Sequence, residues 1–188
     1  MSDTTFSIAQ HYHERTKYDP HTLASKAQGL NWAEQPVPFK EYKLGVTYDL
    51  KPYLQGSDRQ QADRWWHRLS QLLFFSYGLT AMVPMPTMTG DPLYLRAAPS
   101  AGGLYPAEVY LISRGTPQLK AGLYNYQAKT HSLLHFWEDQ VWSALQAACF
   151  WHPVLEATQI ALVTTAVFFR SAWRYQDRAY RRIFLDTG

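Results

Sequence analysis

The residues best suited to chemistry lie in one loop, which contains a Pro-Ser turn, two glycines and a second proline in close succession. Residues 99–106 read Pro-Ser-Ala-Gly-Gly-Leu-Tyr-Pro, and the strand-like run 108–112 comes directly after them. Gly102 and Gly103 carry no Cβ, so this backbone can adopt a positive φ and approach a flat ligand closely. Ser100 adds a hydroxyl that can donate or accept a hydrogen bond. The loop is therefore either a binding loop on a rigid strand or a tight turn between two elements.

A second group of chemically able residues is the arginine-rich segment near residue 175. Arginines recur every three to four residues at positions 170, 174, 178 and 181 or 182, and we expect them to share one side of a last helix. Clustered guanidinium groups suit a phosphate. The alternative, which the pattern favours, is a solvated helix face, or pairing with Asp177 and Asp186.

Three motifs in this order make the chain similar to a known family. After the Pro-Ser-Ala-Gly loop come Gly-Leu-Tyr-Asn-Tyr at 122–126 and Arg-Tyr-Gln-Asp-Arg at 174–178, the latter running into Leu-Asp-Thr-Gly at 185–188. These segments resemble the SagB/ThcOx branch of the FMN-dependent nitroreductase superfamily, over about residues 65–188. The opening His-Glu-Arg-Thr-Lys at 13–17 also looks like the start of proteins in that branch.

The resemblance implies an α+β, nitroreductase-like fold and an FMN cofactor, with hydride transfer between the flavin and its substrate. In that branch the reaction is oxidation of azolines to azoles during peptide maturation. It implies that Ser100 is a hydrogen-bond partner of a ring heteroatom, and that the flavin contacts come from Pro99, Ser100, Ala101, Gly102 and Gly103.

Arg174 and Tyr175 stand where the branch has a Lys-Tyr pair that removes a proton from the substrate ring and orients it. By the resemblance they are the catalytic candidates. Lysine can lose its proton when desolvated, whereas guanidinium stays charged. Arg174 is therefore not a credible general base, although it could hold an anion. Tyr175 could relay a proton, or simply pack within an amphipathic helix.

Two departures from the branch pattern concern the cofactor and the end of the chain. The Arg-x-Ser-x-Arg segment that usually fixes the FMN phosphate is missing, and Arg68-Leu69-Ser70 is the nearest string. The chain stops at Gly188, where a histidine and a long core helix follow in the family. We therefore expect an incomplete catalytic domain that forms a homodimer, aggregates or needs a missing C-terminal segment. The alternative function is a non-catalytic, degenerate nitroreductase-like module that binds a peptide or pairs with a catalytic domain.

Composition favours an ordinary folded domain and excludes few functions. The chain has 188 residues, is 46% hydrophobic and contains 7 Trp, 13 Tyr and 9 Phe, which supports a sizeable core. Eighteen basic against 15 acidic residues give a net charge of +3, too slight to indicate nucleic-acid or membrane partners. The histidines form no HxxH or HxxxH pair with a carboxylate in metal-ligand spacing, so no metal site is predicted. The single Cys149 is expected to be a buried, inert thiol.

The N-terminus and the longest apolar run predict a cytoplasmic location. The first five residues contain neither a basic region nor an apolar one, so we expect no signal peptide. The run 160–169 is too short to span a bilayer and contains two threonines.

A small molecule or a peptide is the expected substrate class.

Hydrophobic periodicity predicts the elements that position these residues. Residues 1–60 are expected to form an extended, proline-punctuated arm, and 61–188 the nitroreductase-like domain. Apolar spacing predicts a helix over 62–77, ended by Gly78, and a helix over 139–150. An antiparallel meander is predicted over 109–113, 123–127 and 132–137, and a loop over 83–92. The run 160–169 predicts a buried central strand, and Ser171 a cap for a last helix whose inner side carries Trp173, Tyr180, Ile183 and Phe184.

Overall fold

The computed structural model describes residues 7–21, 29–55, 61–84, 92–139 and 141–188. The predicted loop over 83–92 falls largely outside these residues. The strands are β1 Val46–Asp49, β2 Leu79–Val83, β3 Leu93–Arg96, β4 Ala107–Ser113, β5 Gly122–Gln127, β6 Ser132–Trp137 and β7 Ile160–Ala166. The α-helices are α1 Ile8–Thr16, α2 Gln61–Tyr77, α3 Trp142–Ala148, α4 Val154–Ala157, α5 Phe168–Tyr175 and α6 Ala179–Thr187. Short 3₁₀ turns cover Trp32–Glu34, Lys51–Tyr53, Ala101–Gly103 and Gln176–Arg178.

A five-stranded antiparallel sheet is the centre of the fold, with helices packed on it. Its strand order is β1-β6-β5-β4-β7, and β2 pairs with β3 in a separate two-stranded sheet. Tyr110 lies opposite Asn125, and Asn125 lies opposite Leu134, which sets the register across the three middle strands. The predicted α+β class and the predicted meander of β4, β5 and β6 are confirmed.

The strand after α4 differs from its prediction. β7 pairs with β4 at one edge of the sheet, and its Leu162 is 43% exposed, so the prediction of a buried central strand was wrong. The strand ends at Ala166, and Phe168 already begins α5. The continuous apolar run joins the end of a half-covered strand to the start of a helix, and periodicity alone cannot separate two such elements.

The core forms where α2 packs on one face of the sheet. Leu69 and Leu73 of α2 are buried against a cluster that contains Leu50, Val109, Leu111, Leu119, Tyr124, Tyr126 and Leu133. The predicted helix over 62–77 is confirmed. It ends where the Gly78 N–H donates to the Phe74 carbonyl at 2.8 Å, and a Cβ at Gly78 would lie 2.5 Å from that carbonyl oxygen.

A buried hydrogen-bond chain crosses this core. The Ser70 hydroxyl donates to the Leu50 carbonyl (2.9 Å), and therefore accepts from His131 Nε2 (2.8 Å). His131 Nδ1 then accepts from the Tyr126 hydroxyl (2.8 Å). This arrangement needs a neutral imidazole, and burial lowers the pKa of His131 to about 4.

The described part of the N-terminal arm adds a strand to the sheet. β1 pairs with β6, with Val46 opposite His135, and Leu50 after it is fully buried in the core. Upstream, Lys40 Nζ donates to the Tyr110 hydroxyl at 2.8 Å, and the Tyr42 ring stacks on Phe136 at 4.5 Å. The arm therefore lies along its own chain's sheet over these residues.

The region after β7 forms two helices instead of the single capped helix that was predicted. Ser171 lies inside α5 and is buried, so its prediction as a cap was wrong. Gln176 takes a φ of +47° and separates α5 from α6. Because this break turns the chain, Ile183 of α6 is buried, whereas Tyr180 and Phe184 are exposed, contrary to the inner side predicted for them.

Two smaller differences concern the segment around α3. The predicted helix over 139–150 is confirmed in a shorter form, Trp142–Ala148, without a side-chain cap. Cys149 is exposed, so the prediction of a buried thiol was wrong. It lies just past the end of α3, before Phe150 and Trp151, which both have positive φ angles. Within the described residues, every helix is too short or too polar to cross a membrane.

Candidate functional site

The loop over 99–103 is a tight turn with two residues in the left-handed region. Gly102 and Gly103 have φ angles of +68° and +66°, which L side chains rarely adopt. The Gly103 N–H donates to the Ser100 carbonyl at 3.0 Å and closes the turn. Gly102 is exposed and presents bare backbone at the surface. This conformation explains why the loop needs glycine at both positions.

Ser100 lies at the base of this turn with its hydroxyl engaged on two sides. It accepts from the Tyr105 N–H at 2.9 Å and donates to Asp186 Oδ2 at 2.5 Å. The Ala101 N–H reaches the other oxygen of the same carboxylate, Asp186 Oδ1, at 3.4 Å. The last turn of α6 therefore contacts the loop through one carboxylate.

Arg174 and Tyr175, at the end of α5, lie against the same loop. A Cβ built on Gly102 would lie 3.1 Å from the Tyr175 hydroxyl oxygen and 3.2 Å from Arg174 Cδ. The Arg182 guanidinium lies over the Tyr175 ring, 5.0 Å from its centroid. The fold thus brings together two segments that the sequence separates by six intervening α-helices and strands, from β4 to β7.

A buried ion pair lies next to Tyr105, directly after the loop. Arg170 Nη1 donates to Glu108 Oε1 at 2.5 Å and to the Tyr105 carbonyl at 2.9 Å. Both charged side chains are nearly inaccessible to solvent. Because the two charges compensate each other and Arg170 also bonds to the Tyr105 carbonyl, the start of β4 is fixed to α5.

Arg96, at the end of β3, is the second buried cation beside the loop. Its backbone N–H donates to the Tyr105 hydroxyl at 3.0 Å, and its guanidinium lies between the rings of Phe39 and Tyr105 and donates to the Pro38 carbonyl. Burial lowers the pKa of Arg96 to about 10, so the group remains charged at neutral pH. It joins the arm, β3 and the loop.

The arginines of the last helices do not form the single face that was expected. Arg170 is buried with Glu108, whereas Arg178 lies over the Tyr18 ring with Cζ 3.2 Å from the centroid. Arg181 Nε donates to Thr16 Oγ1 at 2.7 Å. The carboxylates have other partners, since Asp177 pairs with Arg15 at 2.9 Å and Asp186 with Ser100. Because the helix is interrupted at Gln176, the arginines before and after the break point in different directions and meet different partners.

The residues present fit one side of a flavin. The loop offers exposed glycine backbone, which a flat ring can approach. The Ser100 proton and the Ala101 N–H are directed to Asp186, which leaves one lone pair of Ser100 for a ligand donor. The cavity behind the loop, lined by Arg96, Ser100, Tyr105 and Asp186 among others, has a volume of only about 10 Å³. That is near the minimum for one water molecule. Within the described residues, a ring would therefore lie over the loop and not in this cavity.

Sequence reasoning singled out the loop and the Arg174–Tyr175 pair, but it missed the groups that hold them. Arg96, Glu108 and Arg170 were not identified as a buried group, and Asp186 was considered only as a partner for arginine. A charged residue inside an apolar strand, as at Glu108, is the one signal that could have indicated a buried pair. Nothing in the spacing joins Asp186 to Ser100.

Comparison with known proteins identifies the fold. No family model matches the chain. It is 28% identical, over 120 residues, to the "Putative nitroreductase" MJ1384 of Methanocaldococcus jannaschii, and this match covers 64% of the chain and 56% of that protein. A crystal structure of a "putative nitroreductase" from Anabaena variabilis superposes with a TM-score of 0.89 at 70% identity. That match covers 96% of the chain and 36% of the Anabaena protein.

A more distant similarity is to the Escherichia coli microcin synthetase McbBCD complex, solved with truncated pro-MccB17 bound. Its TM-score is 0.50 at 19% identity, over 95% of the chain and 67% of that protein, and it shows a shared fold alone. The chain spans little more than half the length of the Methanocaldococcus relative and about a third of the Anabaena one. In sequence and in fold, the chain is therefore similar to part of proteins named as putative nitroreductases.

Proposed function

We propose that this chain is the part of an FMN-dependent oxidoreductase, of the SagB type within the nitroreductases, that holds one side of the flavin. The observation that carries the proposal is the meeting of two candidate segments at Gly102, where the Tyr175 hydroxyl and Arg174 lie within contact distance of the loop. The similarity to nitroreductases in sequence and fold supports it. When bound, FMN would supply hydride transfer between its ring and the substrate.

In this proposal the loop binds and orients the ring. The backbone of Gly102 and Gly103 lies against its flat face, with Pro99 and Ala101 flanking the contact. Ser100 meets a heteroatom at the ring edge. The exposed backbone of Gly102 supports this role, and a side chain there would press on Tyr175 and Arg174.

Tyr175 and Arg174 are the proposed catalytic residues. The Tyr175 hydroxyl would hold or relay a proton at the substrate, with the Arg182 guanidinium lying over its ring. Arg174 stays protonated, so it binds and orients an anionic or polar group of the substrate and accepts no proton. Oxidation of an azoline ring in a peptide is the reaction that we propose for this pair.

The visible spectrum of the purified chain tests the cofactor directly. We expect copurified or added FMN to give the two-band yellow spectrum, and titration of the chain into FMN to quench the flavin fluorescence. A colourless protein that leaves FMN fluorescence unchanged at high concentration would overturn the proposal for this chain.

A second candidate is a non-catalytic module that binds a peptide or pairs with a catalytic domain. Two observations favour it: arginine stands where a proton-accepting lysine is expected, and the cavity behind the loop holds at most one water molecule. The microcin synthetase complex of similar fold was solved with truncated pro-MccB17 bound. Binding of a thiazoline-containing peptide without any flavin uptake would select this candidate.

We also propose that the chain forms a homodimer through its last two helices. Several large apolar side chains of α5 and α6 are exposed, including Phe168, Phe169, Phe184 and Leu185. Exposed apolar patches of this kind are uncommon on soluble monomers. Sedimentation at micromolar concentration should give a dimer, and a monodisperse monomer with a sharp thermal transition would contradict this proposal.

A further inference from the structure

We propose that Asp186 is a positioning residue, which holds the loop over 99–103 in the shape that receives the ligand ring. The inference rests on the proposed function for the ligand. The contact itself, between the last turn of α6 and the loop, does not depend on it.

The first support is that both oxygens of the carboxylate face the loop. Oδ2 accepts from the Ser100 hydroxyl at 2.5 Å, and Oδ1 lies 3.4 Å from the Ala101 nitrogen. Hydrogen bonds to an ionised acceptor are shorter and stronger than neutral ones. Asp186 is half-buried, so solvent competes for this contact less than it would at the open surface.

The second support is that the two ends of the loop are held differently. At the far end, the Tyr105 carbonyl is bound by the buried Arg170, and the Tyr105 hydroxyl by the Arg96 N–H. At the near end, the side-chain contacts of Ser100 within the described residues go to the Tyr105 N–H and to Asp186. Asp186 is thus the contact that joins this end of the loop to α6.

The third support is the direction that Asp186 imposes on the Ser100 hydroxyl. A serine hydroxyl has one proton and two lone pairs. The proton goes to Asp186, and one lone pair goes to the Tyr105 N–H. While Asp186 is in place, Ser100 can offer a ligand only its second lone pair, so the ligand atom that meets it must be a donor. Asp186 therefore holds the loop in position, and it also determines that the ligand atom facing Ser100 is a hydrogen-bond donor.

Amide hydrogen exchange without added flavin tests the contact. We expect Asp186→Ala to speed exchange at residues 101–105 by about tenfold, because a charge-assisted hydrogen bond is lost. Asp186→Asn should retain part of the protection, since an amide oxygen can still accept from Ser100. Glu156→Ala is the matched control: it removes an exposed carboxylate from a residue whose backbone carbonyl accepts from Arg114, past the opposite end of β4, and should leave these amides unchanged.

A double-mutant cycle separates this contact from general destabilisation. If Asp186 acts through Ser100, Asp186→Ala and Ser100→Ala together should change exchange by less than the sum of the two single changes, because both remove the same Ser100–Asp186 hydrogen bond. Additive effects, or unchanged exchange in both Asp186→Ala and Asp186→Asn, would overturn the proposal. If Asp186→Ala loses its cooperative melt, Asp186→Asn still decides the question through the same amides.

FMN titration links the contact to the ligand. We expect Asp186→Ala to raise the dissociation constant for FMN about tenfold, with Asp186→Asn in between and Glu156→Ala equal to the parent. Equal affinity in all three variants would overturn the positioning role. Failure of the parent itself to bind FMN overturns instead the proposed cofactor, and the amide-exchange result separates the two cases.

Discussion

The α2 face of the sheet and the loop end of the molecule are held by different kinds of contact. At the α2 face, Leu73, Leu111 and Leu133 are almost completely buried among other apolar side chains. At the loop end, the structure depends on a few polar contacts, chiefly Arg170 with Glu108 and Asp186 with Ser100. Large apolar side chains of α5 and α6 remain exposed there.

This difference determines what a substitution does in each region. Apolar burial is shared among many neighbours, so its loss costs free energy of unfolding in proportion to the volume removed. A polar contact fails as a unit, because removing one partner leaves the other buried and unpaired. We therefore expect core changes to alter stability alone, and loop changes to alter ligand binding as well.

The largest effect is expected for Arg170→Ala. It leaves the buried Glu108 carboxylate without its cation and should lower the free energy of unfolding by about 3–5 kcal/mol. Chemical denaturation measures this directly. Arg15→Ala is the matched control, because its pair with Asp177 is exposed and should be worth less than about 1 kcal/mol. Similar losses in both variants would show that the Arg170 pair is not buried in solution.

Leu73→Ala should have the next largest effect, at about 3 kcal/mol, because it opens a cavity between α2 and the sheet. The neighbouring Leu72 is half exposed, and Leu72→Ala should change stability by less than about 0.5 kcal/mol. FMN affinity should be the same in both variants and the parent when measured well below the melting temperature. Equal destabilisation by the two changes would contradict the observed orientation of α2.

The His131 chain predicts a pH dependence of stability. Since the pKa of His131 in the folded state is lowered to about 4, below its usual 6.5, the unfolded chain binds more protons between these values. The stabilisation is complete above about pH 6.5 and declines as the pH falls toward 4. A loss of roughly 2 kcal/mol is expected between pH 7.5 and 5. His131→Gln should make the free energy of unfolding nearly independent of pH between these values. An unchanged slope would show that other groups cause the pH dependence.

Gly102→Val should cost about 1–2 kcal/mol of stability and abolish FMN uptake. The valine would strain the positive φ and place methyl groups against the Tyr175 hydroxyl and Arg174. Gly29→Ala is the control, because nothing lies within 4 Å of its Cβ position and its φ is ordinary. Ser100→Ala should weaken FMN uptake by only about 1 kcal/mol. Parent-like FMN binding by both loop variants would show that the loop is only a turn.

Gln176→Gly is expected to give the smallest effect and the opposite sign. Gln176 has a φ of +47° and a ψ of −124°, a conformation that glycine adopts without strain. The variant should therefore gain about 1 kcal/mol on thermal or chemical unfolding, with the break between α5 and α6 retained. A loss of stability would indicate that the glutamine side chain makes a contact worth more than the strain.

Local pattern was sufficient for the elements that lie on one well-covered face. The spacing of Leu69, Leu73 and Tyr77 predicted α2, because a helix repeats its side-chain direction every three to four residues. Short runs of apolar and aromatic residues predicted β4, β5 and β6. The adjacent glycines correctly indicated a turn with positive φ. The loop's role toward a cofactor remains a prediction.

Long-range packing decided the rest. Whether the apolar run after residue 160 is central or at an edge depends on which strand covers it, and here β4 is its one partner in the described sheet. The turn at Gln176 follows from the docking of α6, not from a residue that favours a positive φ.

The sequence alone determined which segments form α2 and the strands β4, β5 and β6, and where the glycine turn lies. It also showed a set of motifs that resembles a known family. Only the tertiary structure decided that Arg170 is buried on Glu108, that Asp186 holds Ser100, and that Tyr175 meets Gly102. The physical reason is that backbone geometry repeats within a few residues, whereas these contacts join side chains far apart in the chain. Their existence depends on the packing of whole elements, which no local spacing records.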